Sequence, residues 1–395
     1  MRDARPANGK IGALDGYRGL AAAMIVVYHT YNYSMHWYAI HQREYSSPAH
    51  PVALLFQNLD VGVSLFFVLS GALLFRPFAR ALLDAGPLPS VRAFFRRRAL
   101  RIVPAYYAAL LILWPFTALG RPDGWRDLVE HLTFTHIFEL AHMADIIGVE
   151  WSLADEAIYY VFIGLFCLAI ARRCRRLATP DQRFRLLTGL LVAGIAISVS
   201  YRYWCAATAP TNVWGTFNPI SRFDAFALGM LVALVAARWP SLPPGRAPAI
   251  ALRVAGFALI AVAMALRPLT WALYLYVHSL ASAGFALVLL VSFAGPASAP
   301  WERFFASKPL AWLGAISYSL YLWHLPVLRA ASHGPIALTP ASFERNVVIE
   351  FALALIVATV SYTLIERPAL RLRYRSALAG RPAPAGGGAA TAPGD

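Results

Sequence analysis

His29 and Arg18 are the residues best able to do chemistry in the apolar stretch "LDGYRGLAAAMIVVYHT", residues 14–30. A neutral imidazole can take a proton from a hydroxyl or attack a carbonyl itself. The two residues stand eleven positions apart, almost three full turns, so a helix sets both on one face, roughly 16 Å apart along its axis. Asp15, three residues before Arg18, joins that face. An Arg or Asp at the centre of an apolar span costs roughly 2.5–3.5 kcal/mol. Such a stripe is therefore expected to face a cavity or another helix and not lipid. Structural roles compete: Arg18 can snorkel or pair with Asp15, and His29 can bond a neighbouring helix.

Three further clusters carry similar chemistry. In "FFRRRALRIVPAYY", residues 94–107, Arg98 and Arg101 share a helix face beside an apolar run. Two fixed guanidiniums there suit a phosphate-bearing ligand, since Arg binds phosphate through two parallel donors; anionic lipid would use the same pair. In "VEWSLADEAIYYVF", residues 149–162, Ser152, Glu156 and Tyr159 fall on one face. A carboxylate entering a span needs a cavity or a counter-charge, and Arg222 of "ISRFDAFALGM" is one available partner. In "LGAISYSLYLWHLPV", residues 313–327, Ser317 and His324 are two turns apart with Tyr321 between them. There Tyr321 can equally be an interfacial belt residue and His324 a hydrogen-bonded structural one. The small residues Ser64, Ser70 and Gly71 of "VGVSLFFVLSGALLF" read as close contacts around the first span, with Asp60 just before them. His131, His136 and His142 are spaced five and six apart, which is not a zinc-helix pattern, so no metal is assigned.

These residues need elements to hold them, and the composition says which. The chain has 395 residues, 59% hydrophobic and 14% charged, with a mean hydropathy of +0.55. A soluble domain carries about 25% charged residues, so this is an all-α integral membrane protein. Ten candidate spans fall near residues 17–35, 59–75, 102–119, 151–171, 186–205, 218–237, 253–268, 272–293, 311–329 and 346–365. The pair 253–268 and 272–293 is joined by a very short turn, "RPLT". With both termini on one side, 26 of the 35 Lys and Arg residues fall on that side and only seven on the other. The positive-inside rule then predicts both termini in the cytoplasm. It also accounts for the net charge of +15 without a nucleic-acid partner. Cys167, Cys174 and Cys205 have no spacing that suggests a disulfide framework. The first apolar run reads as a retained span and not a cleaved signal. Residues 1–10 are read as a cytoplasmic lead-in, 11–370 as one transmembrane domain around a central polar cavity, and 371–395 as a disordered, Gly/Pro/Ala-rich cytoplasmic tail. The aromatic- and His-bearing segments 36–58 and 120–150 are candidate lids.

The stretches "LDGYRGLAAAMIVVYH", "DVGVSLFFVLSGALL", "RRALRIVPAYY", "WSLADEAIYYVF" and "SYSLYLWHLPV" occur in that order. Together they resemble the membrane acyltransferase-3 family, bacterial O-acyltransferases that modify sugars and other hydroxyl compounds. The resemblance implies a ten-span core in the bacterial cytoplasmic (inner) membrane, acyl-CoA as donor with acetyl the expected group, and a carbohydrate or glycoconjugate acceptor. It matches the family's first-span Arg and His to Arg18 and His29, and its donor-associated arginines to Arg98 and Arg101. The family's Trp-Ser-Leu motif and following Glu fall on Trp151, Ser152 and Glu156. On this reading the catalytic set is His29, Glu156 and Arg18, and the donor set Arg98, Arg101 and Arg18. The acceptor set is Asp15, Trp151, Ser152, Tyr321 and His324. His29 acts either as general base or as an acylated nucleophile. The chain resembles the form without a fused hydrolase-like domain. A small-molecule transporter, or a non-catalytic scaffold that binds acyl-CoA or lipid, would also use intramembrane charge.

Overall fold

The computed structural model describes residues 9–41, 55–208, 214–242, 245–266, 271–294, 299–332 and 343–372. Among them stand ten long helices: α1 (Gly9–His41), α2 (Val61–Leu83), α3 (Val91–Thr117), α4 (Trp151–Arg176), α5 (Pro180–Thr208), α6 (Pro219–Arg238), α7 (Arg246–Leu266), α8 (Trp271–Ala294), α9 (Lys308–Ser332) and α10 (Phe343–Ser361). The remaining regular structure is short helix, and no strand occurs among the described residues. The "RPLT" turn and the tail after 372 lie outside the described residues, as does most of segment 36–58.

Eight of these helices are long and apolar enough to cross a membrane. The two that fall short are α1 and α9, the helices that carry His29 and His324. Their lower apolarity is the sequence-level trace of polar residues held inside the bundle. They lie against each other closely enough that a Cβ on Gly314 would meet the Asp15 carbonyl oxygen at 1.9 Å. Without a hydrophobic drive between helices in lipid, such close backbone approach is a main source of association.

The central helix is α2, most of whose apolar stretch is buried, whereas α5, α7 and α10 present most of theirs outward. Its small residues serve three neighbours and not α1 alone. Gly62 faces the Ala21 carbonyl of α1, and Gly71 faces the Phe226 carbonyl of α6. Ser64 bonds His278 of α8 at 3.2 Å. The expectation of contacts gathered around the first span is thus corrected, because residue 62 faces α1 from one side of the helix while 64 and 71, two turns apart on the opposite side, meet α8 and α6.

Local signals set the helix ends. Ser90 caps α3 by accepting from Ala93 N at 3.2 Å. Asn218 caps α6 by accepting from Ile220 N and Ser221 N, with Pro219 in the first turn. α10 runs into a π-helical turn, Tyr362–Glu366, which turns Glu366 into the bundle, where it is 1% exposed. Arg202 is buried within α5 and pairs with Asp224 of α6 at 2.7 Å.

Candidate active site

A cavity of about 310 Å³ opens between α1, α2, α3, α4 and α9. Its polar lining is Arg18, Ser70, Arg98, Arg101, Ser152, Glu156 and Tyr160, with Ser317, Tyr318 and Tyr321 along α9. All the residues expected to bind the donor are therefore gathered in one place, from two helices. Arg101 is held by Glu366 at 2.7 Å, and Glu366 accepts in turn from Ser319 at 2.9 Å. Arg18 and Arg98 form no ion pair among the described residues, and Nε of Arg98 and Nη2 of Arg101 are buried with no hydrogen-bond partner. Glu156 accepts a 2.6 Å hydrogen bond from Ser70 and does not pair with Arg222. Arg222 instead lies 5.7 Å from the rings of Trp151 and Phe217, where its charge also reaches the buried Asp155. Three guanidiniums against the single lining carboxylate leave the cavity a net attraction for anions.

The far end of the cavity is roofed by Ser152 and Tyr321, joined hydroxyl to hydroxyl at 2.7 Å. Both hydroxyls also reach the Val149 carbonyl, at 3.2 and 3.3 Å. One turn beyond Tyr321, Nε2 of His324 lies 3.0 Å from Nδ1 of His29. The rings of Phe66, Tyr321, His324 and His29 follow one another, with successive centroids 5.7, 5.7 and 5.0 Å apart. His29 and His324 thus stand just behind the cavity's end wall and are not part of its lining. Asp15 and Trp151 also lie outside the lining. Asp15 sits at the α1–α9 contact, and Trp151 is wedged between Phe67, Phe217 and Arg222.

Sequence reading took Ser70 for a packing residue, where it bonds Glu156, and missed the partner Glu366 and the lining residues Phe66, Tyr160 and Tyr318. Glu366 had a signal: it is an acidic residue closing a long apolar run, just ahead of Arg367 and Pro368.

The segment after α3 carries the other concentration of buried charge. Arg121 pairs with Asp127 at 2.6 Å and with Asp145. His142 bridges Glu130 at 2.7 Å and Asp123 at 3.0 Å. His131 lies between Asp127, at 2.9 Å, and Glu150, at 3.2 Å, and Glu150 also caps the backbone of Ile146 and Ile147. Burial opposes a charge on His131, but the two carboxylates outweigh it and hold its pKa up to about 9. His136 is stacked flat on that ring at 4.1 Å; burial and the His131 charge push it down to about 4. Among the described residues no group of three or more His, Cys, Asp or Glu has a metal-holding arrangement. The segment ends against the site. Gly148, at φ +100°, leaves no room for a Cβ beside Leu325 and Arg329, one turn from His324.

Among the described residues, ten long helices pack around an Arg-rich cavity with a histidine pair behind its end wall, an arrangement suited to a membrane enzyme with an anionic substrate. Residues 11–366 match the Acyltransferase domain family, Acyl_transf_3, and the chain belongs to that family. Curated relatives are more distant. Over 93% of this chain and 85% of its own, BcsY of Komagataeibacter xylinus, named as a membrane-bound transacylase, is 27% identical. The peptidoglycan O-acetyltransferase OatA of Listeria monocytogenes is 24% identical over 93% of this chain and 57% of its own length. The O-acetyltransferase OatA of Staphylococcus aureus is 22% identical over 92% and 58% respectively. The chain thus spans little more than half the length of the OatA proteins. No solved structure matches it.

Proposed function

We propose that this acyltransferase moves an acyl group, acetyl in the first instance, from acyl-CoA to a hydroxyl of a carbohydrate or glycoconjugate. The observation that carries this reading is the single cavity that gathers Arg18, Arg98 and Arg101 and ends at Tyr321, one turn from the His29–His324 pair. Its size is at the small end of ligand sites, room for an extended arm and not for a whole nucleotide. The phosphates of CoA dock at Arg98 and Arg101, which line the cavity and each keep a guanidinium nitrogen without a hydrogen-bond partner, and the pantetheine arm runs past Arg18. The positive-inside count supports a cytoplasmic position for that end, and hence a cytoplasmic donor and a bacterial inner-membrane location.

At the Tyr321 end of the cavity, just behind its wall, His29 accepts the proton of the acceptor hydroxyl while that oxygen attacks the thioester carbonyl. The C–O bond forms, the C–S bond breaks, and the proton passes on to the departing thiolate. A base so placed contributes about 10²–10⁴ in rate. In the covalent variant the imidazole itself attacks first and passes the acyl group on. Glu156, oriented by Ser70, balances the cationic lining. The names of the OatA relatives support O-acetylation of a cell-surface glycan as the particular reaction. The test is a mass comparison of surface glycans and secreted glycosides from cells with and without this chain. Loss of one acyl mass on deletion, restored by the wild-type gene and not by His29→Ala, is expected. Identical spectra in the two strains, with solute flux through vesicles holding the protein, would favour a transporter instead.

A further inference from the structure

His324 is fully buried and does not line the Arg-rich cavity, so it has no free surface to offer a substrate there. Both of its ring nitrogens are committed to other groups of the chain. Nδ1 lies 2.7 Å from the Tyr321 carbonyl and Nε2 lies 3.0 Å from Nδ1 of His29. A carbonyl oxygen only accepts, so Nδ1 of His324 carries a hydrogen, and in the neutral ring Nε2 carries the lone pair. Nδ1 of His29 then faces two acceptors, Nε2 of His324 and the Ile25 carbonyl at 3.1 Å. It must be the protonated nitrogen, which leaves the lone pair of His29 on Nε2. His29, unlike His324, keeps accessible surface.

The two acceptors are not equivalent. The Ile25 carbonyl is one turn back on the same helix and also serves the helical ladder. It can hold the hydrogen but leaves the ring plane to the rotamer. His324 comes from α9 and fixes the ring from outside α1. We infer that His324 is a positioning residue for acyl transfer: it sets the tautomer and the plane of His29 so that Nε2 presents its lone pair to the acceptor hydroxyl. When Nε2 takes the proton, the Nδ1–H bond to His324 becomes charge-assisted and strengthens. An interaction that strengthens only then raises kcat and leaves donor binding alone. The inference rests on the reading of His29 as the reacting imidazole.

The test uses the full-length protein in lipid nanodiscs with acetyl-CoA as probe, reading the free thiol released. His324→Leu removes the acceptor at similar volume. It should lower kcat about 10–100-fold, less than the ~10²–10⁴ lost with the base itself, with the KM for acetyl-CoA within about twofold. His324→Gln can donate to the Tyr321 carbonyl and accept from His29, and should recover much of that loss. His324→Asn, one methylene shorter, should recover little, and it serves as the partner for His324→Gln if the Leu variant does not assemble. His324→Leu at wild-type kcat, with His29→Ala inactive, overturns the positioning role alone. So does an equal loss in the Gln and Asn variants. A His29→Ala protein that releases thiol at the wild-type rate removes the base reading instead, and the two failures are thereby distinguishable.

Discussion

The cavity and the segment between α3 and α4 both bury charge, and they treat it in opposite ways. In the segment, each of the cations Arg121, His131 and His142 touches two carboxylates. In the cavity only Arg101 is paired, and two guanidinium nitrogens are buried without partners. Buried charge that closes on itself specifies structure, whereas buried cation left open costs free energy that only a ligand repays. The first kind of site holds the segment in place beside α9; the second is where an anion belongs.

This contrast can be broken from either side. The largest effect is expected at Glu150, which satisfies His131 and two backbone N–H groups at once. Glu150→Ala leaves His131 with Asp127 alone and strips the Ile146 and Ile147 N–H groups of their acceptor, a loss of about 2–4 kcal/mol, and limited proteolysis within residues 118–149 should accelerate sharply. Next, Arg98→Ala should raise the KM for acetyl-CoA about 10–100-fold through loss of a charge-assisted phosphate contact, with little change in melting temperature because no ion pair is broken. If Arg98→Ala destabilised the protein and left KM alone, the cavity would be a structural network like the segment.

The smallest effect is a pH dependence confined to the segment. His131 has a raised pKa, so its stabilising pairs are intact below about 6.5, the value for the unfolded chain, and are lost as pH rises toward about 9. His136 has a lowered pKa, so its contribution is intact above about 6.5 and is lost as pH falls toward about 4. Glu150 and Glu130, held below the usual carboxylate range, act in the same sense as His136 on the acid side: burial raises each, but the hydrogen bonds to His131 and His142 outweigh it. Hydrogen-exchange protection of residues 124–132 should therefore peak near pH 6.5. A flat profile would remove the charged His131 from the account.

Much of this was legible in the sequence because periodicity reports which residues share a helix face. Arg98 with Arg101, Ser152 with Glu156, and Arg18 below His29 follow from spacing alone, and so do the ten long helices. Periodicity cannot say which faces meet. The pairs Glu156–Ser70, Arg101–Glu366 and His29–His324 join residues 86, 265 and 295 positions apart, and only the assembled bundle supplies them. The stripe Ser317–Tyr321–His324 shows the same limit within one helix. Ser317 and Tyr321 line the cavity, but one turn further on the wall has closed and His324 meets His29 instead. The Arg202–Asp224 pair shows the same limit: an Arg near the end of an apolar run carries no sign of its partner until α5 and α6 are seen together.

The central claim is that the imidazole of His29 does the chemistry on a thioester delivered through the Arg-lined cavity. Its most direct test is a single-turnover measurement with radiolabelled acetyl-CoA on wild-type and His29→Ala protein in nanodiscs. Equal donor binding with transfer about 10²–10⁴-fold slower in the variant is the predicted result. Transfer at undiminished rate without that imidazole would contradict it.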